Sequence, residues 1–129
     1  MIYLVDDDKS IRQGFEMFLK SAGLDLVSYE NAEDFLTSVK PQPQDILILD
    51  MHLPGMNGCE LLQKLKADEI YIPVIVVTAF DEPQSRENCK EYGVKAFLRK
   101  PVDSEALLDI ITYSLNGLCP CSRPNHYLF

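Results

Sequence analysis

Tryptophan is absent from the 129 residues, and so is any long apolar run. A membrane-spanning helix needs about 20 consecutive apolar residues. No stretch approaches that, so no membrane role is expected. Basic residues are in the minority, with 12 Lys and Arg against 20 Asp and Glu, a formal net charge of -8 and a pI near 4.6. They form no cluster. An acidic surface repels nucleic acid and anionic lipid, so no direct nucleic-acid binding by this chain is expected. No signal peptide is expected either, because Met1 runs straight into apolar residues. Of the four cysteines, Cys59 and Cys89 fall in expected helices, far apart in sequence. Cys119 and Cys121, with His126, make a C-x-C and one distant His, which matches no strong zinc spacing. Reduced thiols and a cytoplasmic location are the expectation.

What is present suffices for one ordinary domain. The length is right for that, and 47% of the residues are hydrophobic, enough for a core without metal or disulfide staples. Short apolar runs alternate with helical periodicities. "IYLV" at 2–5 reads as a buried strand. Ile11, Phe15, Phe18, Leu19 and Ala22 follow at helical spacing, and Gly23 stops that helix. "LVSY" at 26–29 is a second strand. Asn31 is an N-cap for a helix carrying Ala32, Phe35, Leu36 and Val39 on one face. "PQPQ" at 41–44 is a loop. "ILIL" at 46–49 lacks alternation and reads as a strand buried on both faces. A turn-rich "HLPGMNG" at 52–58 precedes a helix with Leu61, Leu62 and Leu65; Gly55 and Gly58 are expected to serve turn geometry.

"VIVV" at 74–77 is the fourth strand. The following helix, roughly 82–92, is poor in apolar residues and should be lightly anchored. "AFL" at 96–98 is a short fifth strand. Asp103 can cap a last helix bearing Leu107, Leu108, Ile111 and Leu115, which Asn116-Gly117 ends. This divides the chain into a domain over 1–116 and a tail or linker stub over 117–129, a proline-containing stretch without a period. Strand-helix alternation of this kind implies a parallel sheet with helices on both faces. Ligands of such sheets bind beyond the carboxyl ends of the strands.

Past the first strand stand Asp6, Asp7 and Asp8. Past the third stands Asp50, past the fourth Thr78, and past the fifth Lys100, followed by Pro101. A parallel sheet brings these to one edge. Clustered carboxylates resist ionising together, and a hard divalent cation with oxygen ligands, Mg²⁺ above all, relieves the repulsion. Mg²⁺ partners phosphoryl oxygens, and a hydroxyl with an ammonium adds the donors that a phosphoryl group in transfer needs. No G-x-x-x-x-G-K-[ST] phosphate cradle is present, so a nucleotide is not the obvious ligand. An aspartate as phosphate acceptor is the remaining candidate.

Four segments in order, "LVDDDKSIR", "LILDMHLPGMNG", "VIVVTAF" and "AFLRKP", resemble the signature segments of receiver domains of two-component response regulators. "VSYENAEDFL" resembles the branch attached to LuxR/FixJ-type transcription regulators. The resemblance implies a flavodoxin-like, CheY-like α/β fold, a doubly wound five-stranded parallel sheet in order 2-1-3-4-5. It implies Asp50 as the phosphorylated residue; Asp6, Asp7, Asp50 and the carbonyl of His52 as Mg²⁺ ligands; Thr78 as the switch hydroxyl; Phe97 as the switch aromatic; and Lys100 as the lysine that pairs with the phosphoryl group. Asp8 is read as the cap of the first helix rather than a metal ligand. His52 and Phe80 are positions that could tune loss of the phosphoryl group, with a solvent-facing histidine as the plain alternative for His52. Implied partners are a sensor histidine kinase or phosphotransfer protein, an output domain or downstream protein, and a second copy through the surface of the fourth helix, fifth strand and fifth helix. No enzymatic activity is implied beyond the chain's own phosphorylation and dephosphorylation.

Two alternatives stand beside this. "DDDKS" contains D-x-D-x-S, which resembles the nucleophile motif of Mg²⁺-dependent haloacid-dehalogenase-type phosphatases, with Asp6 as nucleophile and Asp8 as acid/base. That reading leaves Asp50 unexplained, and Ser10 stands where Thr is usual. A flavodoxin-like electron carrier would need a hydroxyl- and glycine-rich loop where the three aspartates stand.

Overall fold

The structure, a computed structural model, describes residues 1–42, 44–78, 94–99 and 104–115. Five strands, β1 (Ile2–Val5), β2 (Leu26–Tyr29), β3 (Ile46–Leu49), β4 (Val74–Thr78) and β5 (Val94–Arg99), form one sheet in the order β2-β1-β3-β4-β5. Every pairing is parallel. Four described helices are α1 (Lys9–Ser21), α2 (Ala32–Ser38), α3 (Gly58–Ala67) and α4 (Ser104–Leu115), the last being the fifth helix expected from sequence. The expected helix over 82–92 with its Cys89, the expected N-cap Asp103 and the expected terminator Asn116-Gly117 lie outside the described residues. So does the tail with Cys119, Cys121 and His126.

The sheet divides two cores. β3 sends Leu47 and Leu49 to one face, where Ala32 and Phe35 of α2 and Leu61, Leu62 and Leu65 of α3 cover them. It sends Ile46 and Ile48 to the other, against Leu19 of α1 and Leu107, Ile110 and Ile111 of α4. All four β3 side chains are buried, so the strand has no solvent face and its sequence need not alternate. Each such side chain stabilises the fold by roughly 1.5–3 kcal/mol in transfer terms. β2 is one of the two edge strands and is only partly buried, which suits its mixed "LVSY".

Local chemistry sets the helix ends. Asp8 caps α1. At its far end Leu24 N–H donates to the Leu19 carbonyl at 2.8 Å and Gly23 N–H to Lys20 at 3.0 Å, with Gly23 at φ +79°. This is a Schellman ending, in which a left-handed residue lets the chain satisfy the last carbonyls. α3 ends the same way, with Ile70 N–H on Leu65 at 2.9 Å, but its left-handed residue is Glu69, at φ 57°. Asn31 caps α2 by accepting from Asp34 N–H at 2.7 Å. The fourth and fifth strands run longer than their apolar runs, to Thr78 and over Val94–Arg99. Ladder bonds use backbone groups, so a strand extends past its hydrophobic residues wherever the neighbour continues. Among the described residues, no helix is long and apolar enough to cross a membrane.

Candidate functional site

The site lies at the carboxyl edge of β1 and β3. Val5 and Leu49 are paired, and so the next residue of each strand, Asp6 and Asp50, leaves the sheet side by side. Asp50 N–H still reaches Val5 O at 3.0 Å, and Asp6 N–H reaches Tyr29 O at 3.1 Å. Both carboxylates are buried, at 1% and 5% exposure, while Asp7 is exposed. Oxygens of Asp6, Asp7 and Asp50 lie within 4.8 Å of one another.

The turn carrying the first two is tightly bonded. Asp8 N–H donates to Asp6 Oδ1 at 2.9 Å. The Arg12 guanidinium, one turn into α1, donates through Nη1 to the Asp6 carbonyl at 2.7 Å, a charge-assisted bond. Asp8 turns its carboxylate away from the cluster and onto the helix, where Oδ1 accepts from Ser10 N–H at 2.8 Å and Ile11 N–H at 3.4 Å. The capping role expected for Asp8 is what the structure shows.

Asp50 opens the β3–α3 loop. His52 N–H donates to Asp50 Oδ1 at 3.1 Å, and Gly58 N–H closes back onto the Met51 carbonyl at 3.1 Å. Asn57 and Glu60 then form a reciprocal capping box that starts α3. Gly55 serves turn geometry as expected, at φ +69°. Gly58 does not. It is the first residue of α3, and its reason is contact: an added Cβ would stand 2.8 Å from the Asp50 carbonyl oxygen and 2.8 Å from Met51 Cα. From α2, Glu33 Oε1 accepts from Met56 N–H at 2.8 Å. That bond, with one from Glu33's own backbone N–H, holds the Glu33 carboxyl below its ordinary pKa.

Beside the carboxylates is an open pocket of about 530 Å³ lined by Asp7, His52, Leu53, Pro54, Asn57, Cys59 and Met51. Sequence reasoning placed His52 here. Nothing in the sequence marked Cys59, which stands in the first turn of α3, or the Arg12 and Glu33 contacts, because each depends on where another element lies. Of the other expected site residues, Thr78 ends β4, its backbone paired with Arg99 of β5. Phe97 is buried in the core on the α2 and α3 face, with Val76 and Leu49. Lys100, Pro101 and Phe80 lie outside the described residues.

Residues 2–112 match the family described as response regulator receiver domain. The chain belongs to that family. The receiver is 30% identical over 126 residues to the DNA-binding transcriptional regulator NtrC of Escherichia coli, a match spanning 98% of this chain and 27% of NtrC. It is 33% identical over 127 residues to a cyclic di-GMP phosphodiesterase of Thermotoga maritima, covering 98% of this chain and 34% of that protein. The chain thus spans about a third or less of these curated relatives. A solved structure of the response regulator StyR superposes with a TM-score of 0.83 at 36% identity, covering 89% of this chain and 58% of that one. This is a response regulator receiver domain of two-component systems, a signalling domain with the expected CheY-like sheet order, and the phosphatase and electron-carrier alternatives are set aside.

Proposed function

We propose that this receiver accepts a phosphoryl group on Asp50 in a Mg²⁺-dependent reaction. The observation that carries the proposal is the convergence of the Asp6, Asp7 and Asp50 oxygens within 4.8 Å. The donor set is all oxygen, the preference of Mg²⁺ rather than of a soft metal. Ligand oxygens about 2.0–2.1 Å from one ion stand roughly 3–4 Å apart, so small side-chain adjustments bring the three to a common ion. Asp6, Asp7, Asp50 and the His52 carbonyl are the residues that would hold it. Mg²⁺, when bound, neutralises phosphoryl oxygens and lets the carboxylates stay ionised together.

The chain's own residues do the rest. The Asp50 carboxylate attacks phosphorus in line, a P–O bond to Asp50 forms, and the bond to the donor's leaving group breaks with its electron pair. His52 N–H, already on Asp50 Oδ1, fixes the carboxylate's orientation. Thr78 and Lys100 supply a hydroxyl and an ammonium to the phosphoryl oxygens. Movement of Thr78 toward them makes room that Phe97 can fill, which shifts an equilibrium between two packings.

In this reading the donor is a sensor histidine kinase or phosphotransfer protein, and the readout is an output domain, a downstream protein or a second copy through the surface of β5 and its flanking helices. The receiver unit is residues 1–116 with a linker over 117–129, it is cytoplasmic, and it catalyses only its own phosphorylation and dephosphorylation. The test is an intact mass after incubation with Mg²⁺ and acetyl phosphate, beside Asp50→Asn. One phosphate adduct that requires Mg²⁺ and is missing from the variant is expected. An adduct that persists in the variant would overturn the assignment of Asp50.

A further inference from the structure

We propose that Glu33 is a positioning residue for the phosphoryl site: from α2 it fixes the β3–α3 loop at Gly55–Met56 and so sets the geometry of the metal-facing stretch that begins at Asp50. The inference rests on the reading of Asp50, Asp6, Asp7 and His52 as a Mg²⁺ and phosphoryl site.

Three observations carry it. Glu33 Oε1 accepts from Met56 N–H at 2.8 Å, a contact between residues 23 apart in sequence. The same oxygen stands 2.8 Å from the place a Gly55 Cβ would occupy, so carboxylate and glycine are fitted to each other. Gly55 holds φ +69°, which aims the following amide toward α2. The other described bonds of the loop lie toward its ends: His52 on Asp50, Gly58 on Met51 and Asn57 N–H on Glu60 Oε1. Glu33 is the tie in its middle. Leu53, Pro54 and Asn57 of this loop line the pocket beside the carboxylates. A backbone amide held by an ionised carboxylate is a charge-assisted bond, stronger than a neutral one.

The pairing gives a test that a merely stabilising surface residue fails. Amide exchange by NMR reports Met56 directly, and amide-shift titration with Mg²⁺ reports the site. In Glu33→Ala, Met56 exchange should accelerate and Mg²⁺ affinity should fall, each by about 2- to 10-fold, the range of one hydrogen bond. Glu33→Gln keeps an acceptor and should stay within about 2-fold of wild type. Gly55→Ala should displace the Glu33 carboxylate and accelerate Met56 by itself, and adding Glu33→Ala should accelerate it no further. Unchanged Met56 exchange in Glu33→Ala overturns the proposal. So does faster exchange with unchanged Mg²⁺ affinity, or a fall in Glu33→Gln as large as in Glu33→Ala. A wild-type chain that takes no phosphate on Asp50, while Met56 exchange and Mg²⁺ affinity still respond to Glu33→Ala, would sink the acceptor reading and uphold this one.

Discussion

Gly58 and Asp50 meet backbone to backbone: a methyl group on Gly58 would stand 2.8 Å from the Asp50 carbonyl oxygen. The start of α3 is therefore pressed against the residue that opens the loop. Met51 crowds the same place, since that methyl would also meet its Cα at 2.8 Å and its Sδ at 2.9 Å. Gly58→Ala should destabilise the fold by about 1–3 kcal/mol, the usual cost of overpacking, and slow phosphorylation of Asp50. Urea unfolding and the rate of adduct formation measure the two effects. A variant as stable and as fast as wild type would mean that α3 can retreat without moving Asp50.

Asp8 caps α1, while its neighbour Asp7 stands in the carboxylate group with Asp6 and Asp50. Asp8→Ala should cost about 0.5–2 kcal/mol, the value of an N-cap, and Asp8→Asn should restore most of it. Neither change should abolish Mg²⁺ binding. Calorimetric titration with Mg²⁺ beside thermal unfolding separates the roles.

Asp7 is the exposed member of the carboxylate group. Asp7→Asn should weaken Mg²⁺ at least about tenfold, a loss that even outer-shell partners of a metal produce. In EDTA the same change should raise stability, because one of three mutually repelling charges is gone; a pair at this separation repels by on the order of 1 kcal/mol in a water-like medium. Opposite signs with and without Mg²⁺ are the expected signature in thermal unfolding.

The Glu33 carboxyl has its pKa lowered by the bond from Met56 N–H. A lowered folded-state pKa contributes stability that is present above the ordinary carboxylate value and is lost as pH falls through the folded value. Titration followed by the Met56 amide shift should show a midpoint below the ordinary 4.5, and Gly55→Ala should bring that midpoint back up.

Glu69 holds a left-handed conformation that favours glycine. Glu69→Gly should stabilise the receiver by up to about 1 kcal/mol, since relief of strain outweighs the larger entropy of the unfolded glycine. Chemical denaturation measures it, with the phosphorylation rate unchanged as the control.

Much of this receiver was legible in its sequence. The unbroken "ILIL" run, the capping residues Asp8 and Asn31, and the aspartates after the first and third strands are local signals. They follow from backbone bonding and side-chain periodicity, which act within a few residues. Given strand-helix alternation, Asp6, Asp7 and Asp50 had to share one edge. The boundaries of β4 and β5 were less legible, because ladder partners rather than apolar residues set them.

What only the tertiary structure decided is the distance between elements. That Gly58 must be glycine depends on how near α3 comes to Asp50. That Arg12 holds the Asp6 carbonyl and Glu33 holds Met56 depends on helix placement, which two buried cores determine jointly. A sequence displays the chemistry of a residue but not the neighbour that will meet it from 23 positions away. Here that neighbour, Glu33, meets the middle of the loop that leads from Asp50 to α3.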